Sequence, residues 1–453
     1  MAQKSSALDM TKGSPIKLMA RFAIPMMIGS VFQAMYTMVD SAVLGRYVGS
    51  EALAAIGATT STTGFILLLA TSVTTAVSIV MSQYVGSQDK AKVKSGLVSA
   101  IYLTVGLGIV LGALGFLLAR PLMLLLGTPD NILDMAVTYV QLICGFGIAT
   151  FSYNAVSSVL RALGDSKTPL IFLIICSVLN VILDLIAVIG FKWDVDGVAF
   201  ATLVSQAISA VGCIIFMFKK YPELKLSKAD FTPNMKVMGK IFGMGAQMAL
   251  QSAMLSVGMM VITRIINSYG SDVVAAFTVG NNVQQLAVML FSNFSFGFSV
   301  YVGQNYGAKD APRIKKGLNQ MLLLVGGITL VACALSQIFA NFLVGLYVKP
   351  EETAVIEASL SFVRIQACFF PFLGWIWLYL STLKGMGKIF VTTISSFVEL
   401  GSKIGFSIVL PILFGSYVGI WYAAPLGWIL GIIPNAVYYY GGKWVKELAA
   451  KKE

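Results

Sequence analysis

Apolar stretches with few or no charges, each long enough to cross a bilayer, recur along all 453 residues of this chain. A helix needs about 20 apolar residues to span the hydrocarbon. Inside lipid every backbone polar group must be satisfied within the spanning structure, which leaves helices or closed barrels. Runs of this length are too long for barrel strands and predict an all-α integral membrane protein. The twelve predicted transmembrane helices cover residues 18–45, 53–85, 93–118, 131–158, 168–190 and 197–218, then 238–266, 273–306, 314–347, 354–383, 389–413 and 418–441. Composition agrees: 11% of residues are charged, 57% are hydrophobic and the mean hydropathy is +0.83. Soluble domains carry roughly a quarter charged residues, so that class is excluded.

The uncharged runs 52–88 and 273–308 exceed one crossing, and their helices are expected to project beyond the bilayer. With the N-terminus placed in the cytoplasm, the basic clusters Lys90 to Lys94, Lys219 to Lys240 and Lys309 to Lys316 all fall inside. Only Arg46, Arg120, Lys192 and Lys349 fall outside. This is the positive-inside pattern, and it puts both termini in the cytoplasm and the chain in the cell (inner) membrane. It also accounts for the net charge of +12 by topology, so nucleic-acid binding is not expected. The polar N-terminal tail precedes a spanning-length segment, so no cleavable signal is expected. The five cysteines stand singly in apolar runs without a CxxC spacing and read as small core residues.

An internal repeat organises the chain. Gly49-Ser50-Glu51-Ala52 returns as Gly270-Ser271-Asp272-Val273 at an offset of 221. At the same offset Gln83, Gly86, Asp89 and Lys92 meet Gln304, Gly307, Asp310 and Arg313. Six helices fit in the offset, an even number, so the halves enter the membrane in the same direction as parallel repeats. The predicted organisation is a tail at 1–17, an N-lobe at 18–218, a linker at 219–237, a C-lobe at 238–441 and a tail at 442–453. Two six-helix bundles of this kind predict alternating access around a central cavity.

Ionisable groups inside the spans are costly, at least about 2.5 to 3.5 kcal/mol each at mid-depth, and therefore informative. Gly29, Gln33, Tyr36 and Asp40 share one face of the first helix by their spacing, and Ser177, Asn180 and Asp184 share a face of the fifth. The sixth offers Thr202, Gln206 and Ser209. Carboxylates, an amide and a hydroxyl together supply hard oxygen ligands for a cation, or a pair able to hold a proton. The plain alternative is that Asp40 and Asp184 sit near helix ends and are hydrated. In the second half the positions matching Asp40 and Gln33 are Val261 and Met254, and the main buried charges expected are Arg264, Arg364 and the Glu399/Lys403 pair. Spacing i,i+4 makes that pair an internal ion pair before it makes it a transport site. Pro25 permits a kink in the first helix, or simply packs there. Gly108/Gly112 and Gly427/Gly431 are helix-packing spacings.

Taken together, Pro25 with Gln33 and Asp40 before Gly45, Gln83 to Gly86, Leu160-Arg161-Ala162-Leu163-Gly164 and the Asn180/Asp184 row resemble the multidrug and toxic compound extrusion (MATE) family over essentially the whole chain. Within it the chain looks closest to the DinF-like branch. That resemblance implies a proton or sodium site at Asp40, Asn180, Asp184 and Thr202, with Gln33, Tyr36, Tyr139 and Asn154 lining the N-lobe cavity. No acid stands centrally in the seventh helix, unlike the NorM-like pattern. The implied function is a secondary antiporter that exports organic, cationic and amphipathic compounds in exchange for H+ or Na+, as a monomer among membrane lipid and without a cofactor. The runner-up is a lipid-linked oligosaccharide flippase, which should expose Arg and Lys in its cavity for a pyrophosphate. An enzyme is not expected: the chain has no histidine, no nucleophile motif and no GxxxxGK[ST].

Overall fold

The computed structural model describes residues 8–145 and 147–450, apart from several helical side chains, those of Tyr36 and Asp40 among them. Among the described residues there are helices and turns and no strands. The first half runs α1 (Pro15–Val43), a π turn (Leu44–Val48), α2 (Ser50–Gly86), α3 (Lys90–Leu125), α4 (Asp130–Gly145) and α5 (Gly147–Ala162). It continues with α6 (Lys167–Leu185), a second π turn (Ile186–Gly190) and α7 (Val195–Lys220). The second half has α8 (Met235–Asn267), α9 (Ser271–Gly307), α10 (Ala311–Gly345), α11 (Thr353–Cys368) and α12 (Phe370–Gly385). α13 (Ile389–Phe414), α14 (Val418–Tyr440) and the short α15 (Lys443–Ala450) complete it.

Among the described residues nine helices are long and apolar enough to cross a membrane, and twelve spans result when each of three bent pairs counts as one. The bends correct the expectation of unbroken helices. α4 and α5 meet at 45°, and α11 and α12 at 53°, while α9 bends by 41° between Gln285 and Ala287. Gly145 and Gly147 flank the first break, and Pro371, which has no N–H to give, sits in the first turn after the second. Spans four and ten are related by the repeat, so the break is a duplicated feature. α1, by contrast, runs unbroken through the buried Pro25.

The repeated motif is local chemistry that starts and stops helices. Gly49 and Gly270, with φ of 122° and 96°, supply backbone that L side chains rarely adopt just ahead of α2 and α9. Asp89 caps α3 by accepting from the N–H groups of Ala91 and Lys92 at 3.1 and 3.2 Å, and Asp310 does the same for Arg313 at 3.0 Å in α10. Gly164, closing the Leu160 to Gly164 motif at φ 86°, is required for a second reason: a Cβ there would lie 2.2 Å from the carbonyl oxygen of Leu8.

The chain divides into two compact units. Unit 1 is Met1–Asp9 with Arg21–Ala249, and unit 2 is Met10–Ala20 with Leu250–Glu453. Two of the three boundaries fall inside continuous helices, α1 and α8, and the third, between Asp9 and Met10, lies ahead of α1. Residues 219–237 are folded onto unit 1, with Asp230 paired to Lys94 at 3.0 Å and the Asn234 N–H donating to Ser99 Oγ at 3.3 Å.

In lipid, helices associate through close packing more than through water exclusion. In unit 1 a Cβ on Gly112 would meet the Cys144 carbonyl oxygen at 2.7 Å, so α3 and α4 approach to backbone contact. Ala55, Ala119, Met123, Ala136 and Val140 fill the space beside them. Unit 2 is packed instead around aromatic rings, with Phe362 edge-on to Trp421 at 5.0 Å and Phe277 stacked on Trp421 at 6.3 Å.

Candidate functional site

The polar row of α6 faces α7. Asn180 and Asp184, one helical turn apart, are both fully buried, and Thr202 of α7 is 9% exposed. With the Asn180 amide oriented to satisfy both neighbours, its nitrogen donates to Asp184 Oδ2 at 3.0 Å and its oxygen accepts from Thr202 Oγ1 at 3.2 Å. The amide therefore bridges carboxylate and hydroxyl. Directly after Asp184 the helix widens into the π turn Ile186–Gly190, which packs on the π turn Leu44–Val48 that follows Asp40 in sequence. π turns recur at functional sites because the extra residue re-aims neighbouring side chains.

Three of the four expected coupling residues are thus brought together. The fourth, Asp40, and the cavity residue Tyr36 have side chains outside the described residues. α1 does lie on α6 one turn ahead of Gln33, where a Cβ on Gly29 would stand 3.4 Å from Leu173. Gln33 is exposed and its carbonyl accepts from the Thr37 hydroxyl at 3.0 Å. Ser177, the third member of the row, bonds back within its own helix by donating to the Leu173 carbonyl at 2.9 Å. Asn154 Nδ2 donates to the Thr150 carbonyl at 2.9 Å, and the Thr150 hydroxyl in turn donates to Gln206 Oε1. Tyr139 packs elsewhere, against Ala52, Val188, Val195 and Val198.

Sequence reasoning missed Thr150. Its signal was the i,i+4 spacing to Asn154, but a single threonine in an apolar run names no partner. It also missed the polar network of unit 2, where Asn435 Nδ2 donates to Ser395 Oγ at 2.7 Å and Ser395 donates to the Gly431 carbonyl at 2.5 Å. Two of the charges expected to be buried in that half are not: Arg264 and Arg364 are exposed. Glu399 and Lys403 do pair, their side chains 13% and 16% exposed, beside Gly427 and Gly431 of α14. A Cβ on Gly427 would come within 2.5 Å of Lys403 Cγ, so these glycines leave the room in which the ion pair lies.

Chemically, the unit 1 cluster offers a carboxylate, an amide oxygen and a hydroxyl, all hard donors suited to a proton or an alkali cation and not to a soft metal. Among the described residues no group of three or more His, Cys, Asp or Glu side chains gathers as a metal site.

Two repeated sets of six spans, one holding a wholly buried carboxylate, define a polytopic membrane transporter. The MatE family model matches residues 25–186 and 248–409, once in each half, and the chain belongs to that family. It is 28% identical over 369 residues to the "Probable multidrug resistance protein YpnP" of Bacillus subtilis (strain 168), covering 81% of this chain and 82% of the relative. It is 22% identical over 412 residues to the "Multidrug export protein MepA" of Staphylococcus aureus (strain NCTC 8325 / PS 47), covering 91% and 89%. The fold matches a crystal structure of a MATE protein in the bent conformation with a TM-score of 0.89 at 21% identity, over 99% of this chain and 100% of that one. An outward-facing multidrug resistance MATE transporter of the MOP superfamily matches at 0.86 and 20%, over the full length of both.

Proposed function

We propose that this chain is a secondary active exporter of small organic compounds, cationic and amphipathic, driven by inward movement of H+ or Na+ through the Asn180, Asp184 and Thr202 cluster of unit 1. The observation that carries the reading is a carboxylate with no exposed surface, held by an amide that a hydroxyl in turn orients. Groups of this kind cost insertion energy and mark ion pathways by default. Family membership across both halves and relatives named for multidrug resistance and export support it.

The mechanism follows from charge. An ionised Asp184 favours a bound cation, and loading with H+ or Na+ removes that attraction, so an organic cation and the coupling ion compete. Linkage then requires each to weaken the other's binding by the same factor. Exchange of one monovalent cation for one proton moves no net charge, so the membrane potential, about 2.3 kcal/mol per charge per 100 mV, does not drive it and the ion gradient must. The basic loops support a cytoplasmic position for both termini. Asp40, Gln33, Tyr36, Tyr139 and Asn154 complete the proposed coupling site and cavity. A flippase for pyrophosphate-linked cargo would call for cations where this cluster offers a carboxylate.

The test is efflux of an organic cation dye from proteoliposomes under independently imposed Na+ and H+ gradients. One gradient should accelerate efflux in the wild type and leave Asp184→Asn at the rate seen without a gradient. Gradient-driven efflux by Asp184→Asn at equal reconstitution would remove the cluster from the coupling path.

A further inference from the structure

The repeated corner motif, Gln83 to Lys92 and Gln304 to Arg313, lies outside the ion cluster, and capping alone accounts only for its aspartates. In unit 2 the residues that lead into α1 are clasped by the corner between α9 and α10. The Met10 N–H donates to Gln304 Oε1 at 2.9 Å. The Met10 carbonyl accepts from Asn305 Nδ2 at 3.1 Å and from Arg313 Nε and Nη2 at 3.2 and 3.1 Å, and Nη2 also reaches the Gly13 carbonyl at 2.9 Å. Met10 is fully buried. The Arg313 guanidinium lies over the Tyr301 ring at 5.6 Å, and the Tyr301 hydroxyl donates to the Arg313 carbonyl at 3.0 Å.

In unit 1 the residues that lead into α8 lie on the matching corner between α2 and α3. Lys240 Nζ donates to Gln83 Oε1 at 3.1 Å, the counterpart of Gln304. Lys94 pairs with Asp230 at 3.0 Å, and the Tyr102 hydroxyl donates to the Phe231 carbonyl at 3.3 Å. Each half's corner therefore holds the approach to the other half's first helix, which is why two of the unit boundaries fall inside α1 and α8.

We propose that the two corners are permanent anchors. They keep the leading turns of α1 and α8 fixed to the opposite half's unit through the whole transport cycle, so that these two helices are the mechanical connectors through which the units change conformation. Release would expose Met10 and strip a carbonyl of three donors, two of them on the charged Arg313 guanidinium, and buried polar groups left unpaired are expensive. This inference rests on the alternating-access reading of the two units.

The test joins Met10→Cys to Asn305→Cys with a short thiol cross-linker, in the full-length chain with its five native cysteines replaced. Met10→Cys keeps the backbone N–H and carbonyl of residue 10, and Asn305→Cys gives up one donor to that carbonyl while Gln304 and Arg313 still hold the segment. The cross-link should form equally with and without an organic cation dye or an ion gradient, and dye export should not fall when it forms. Arg313→Ala should lower export about tenfold or more, the fold-change expected for a lost charge-assisted hydrogen bond, and the cross-link should restore it. A cross-link that fails to form, a yield that drops under a gradient, or export lost on linking and regained on reduction would each overturn the anchor. Cross-linking yield reads docking without any reference to transport, so failure of the anchor is separable from failure of the exporter reading.

Discussion

Asp165, in the turn between α5 and α6, shows how a buried carboxylate outside the spans is kept ionised. Burial alone would push its carboxyl up. Hydrogen bonds from Lys220 Nζ at 2.8 Å, the Thr168 hydroxyl at 2.6 Å and the Thr168 N–H at 3.1 Å outweigh that and hold it below the ordinary carboxylate range. The Tyr221 hydroxyl adds a further bond at 2.9 Å. A depressed folded value means stability that is present above the unfolded value, near 3.9, and lost as pH falls through the folded one. Asp165→Asn should accordingly lower stability by about 3 kcal/mol at pH 7, the scale of breaking a buried pair. Melting curves in detergent should show that gap narrowing below about pH 4; a pH-independent gap would mean the side chain matters by shape alone. At the same scale, Thr202→Val removes the hydroxyl that Asn180 accepts from and should cost about 1 kcal/mol, with ion dependence of efflux weakened less than in Asp184→Asn. The Asn180 and Asp184 row was legible because both residues interrupt one apolar face at i,i+4. Thr150 with Gln206 and Ser395 with Asn435 were not, because each pair is made between helices and a lone hydroxyl in an apolar run predicts only its own back-bond.

Helix α13 carries a charge pair that α14 accommodates by having no side chains at two positions. Removing one member of a buried pair leaves an uncompensated charge, whereas replacing both by apolar groups is often neutral or better. Glu399→Gln and Lys403→Met should each destabilise by about 2 to 4 kcal/mol, below the upper end for full burial, and the double variant should recover most of the loss in thermal melts. Equal losses in single and double variants would show that the two do not interact. Gly427→Leu should fail differently, by steric conflict with Lys403 and the α13 backbone, and should not be rescued by Glu399→Gln. Elements were largely readable from sequence, since long apolar runs admit little besides spanning helices. The bends were not. A 45° or 53° turn at a glycine or proline leaves mean hydropathy unchanged, and Phe369-Phe370-Pro371 reads as apolar whether or not the helix breaks there.

At the scale of the whole molecule, the parallel repeat fixes direction: an even number of spans per half brings both ends of the chain to one side. Cysteines placed at Lys12 and Lys446 should react with thiol reagents only after these cross the membrane; labelling of either from outside intact cells by an impermeant reagent would reverse the topology. The repeat was visible as matched residues, and six spans per offset gave the number of spans in each half. The unit boundaries inside α1 and α8 were hidden, because a continuous helix shared between units has no composition change where the sharing happens. Nothing in the run around Ala20 and Arg21, or around Ala249 and Leu250, distinguishes the side on which each turn packs.

The clasp on Met10 sets a schedule for the chain as it is made. Its partner Gln304 lies 294 residues further on, and at about 5 to 20 residues per second a ribosome needs roughly 15 to 60 s to reach it. For that interval Met10 and the turn after it have left the ribosome without the corner that clasps them, while the first six spans are already being handed to the membrane. The α2 to α3 corner waits about half as long, since Lys240, which reaches Gln83, follows 157 residues later. A nascent chain stalled between the halves should thus expose the residues from Met10 to the start of α1 to proteases while its first corner is already protected.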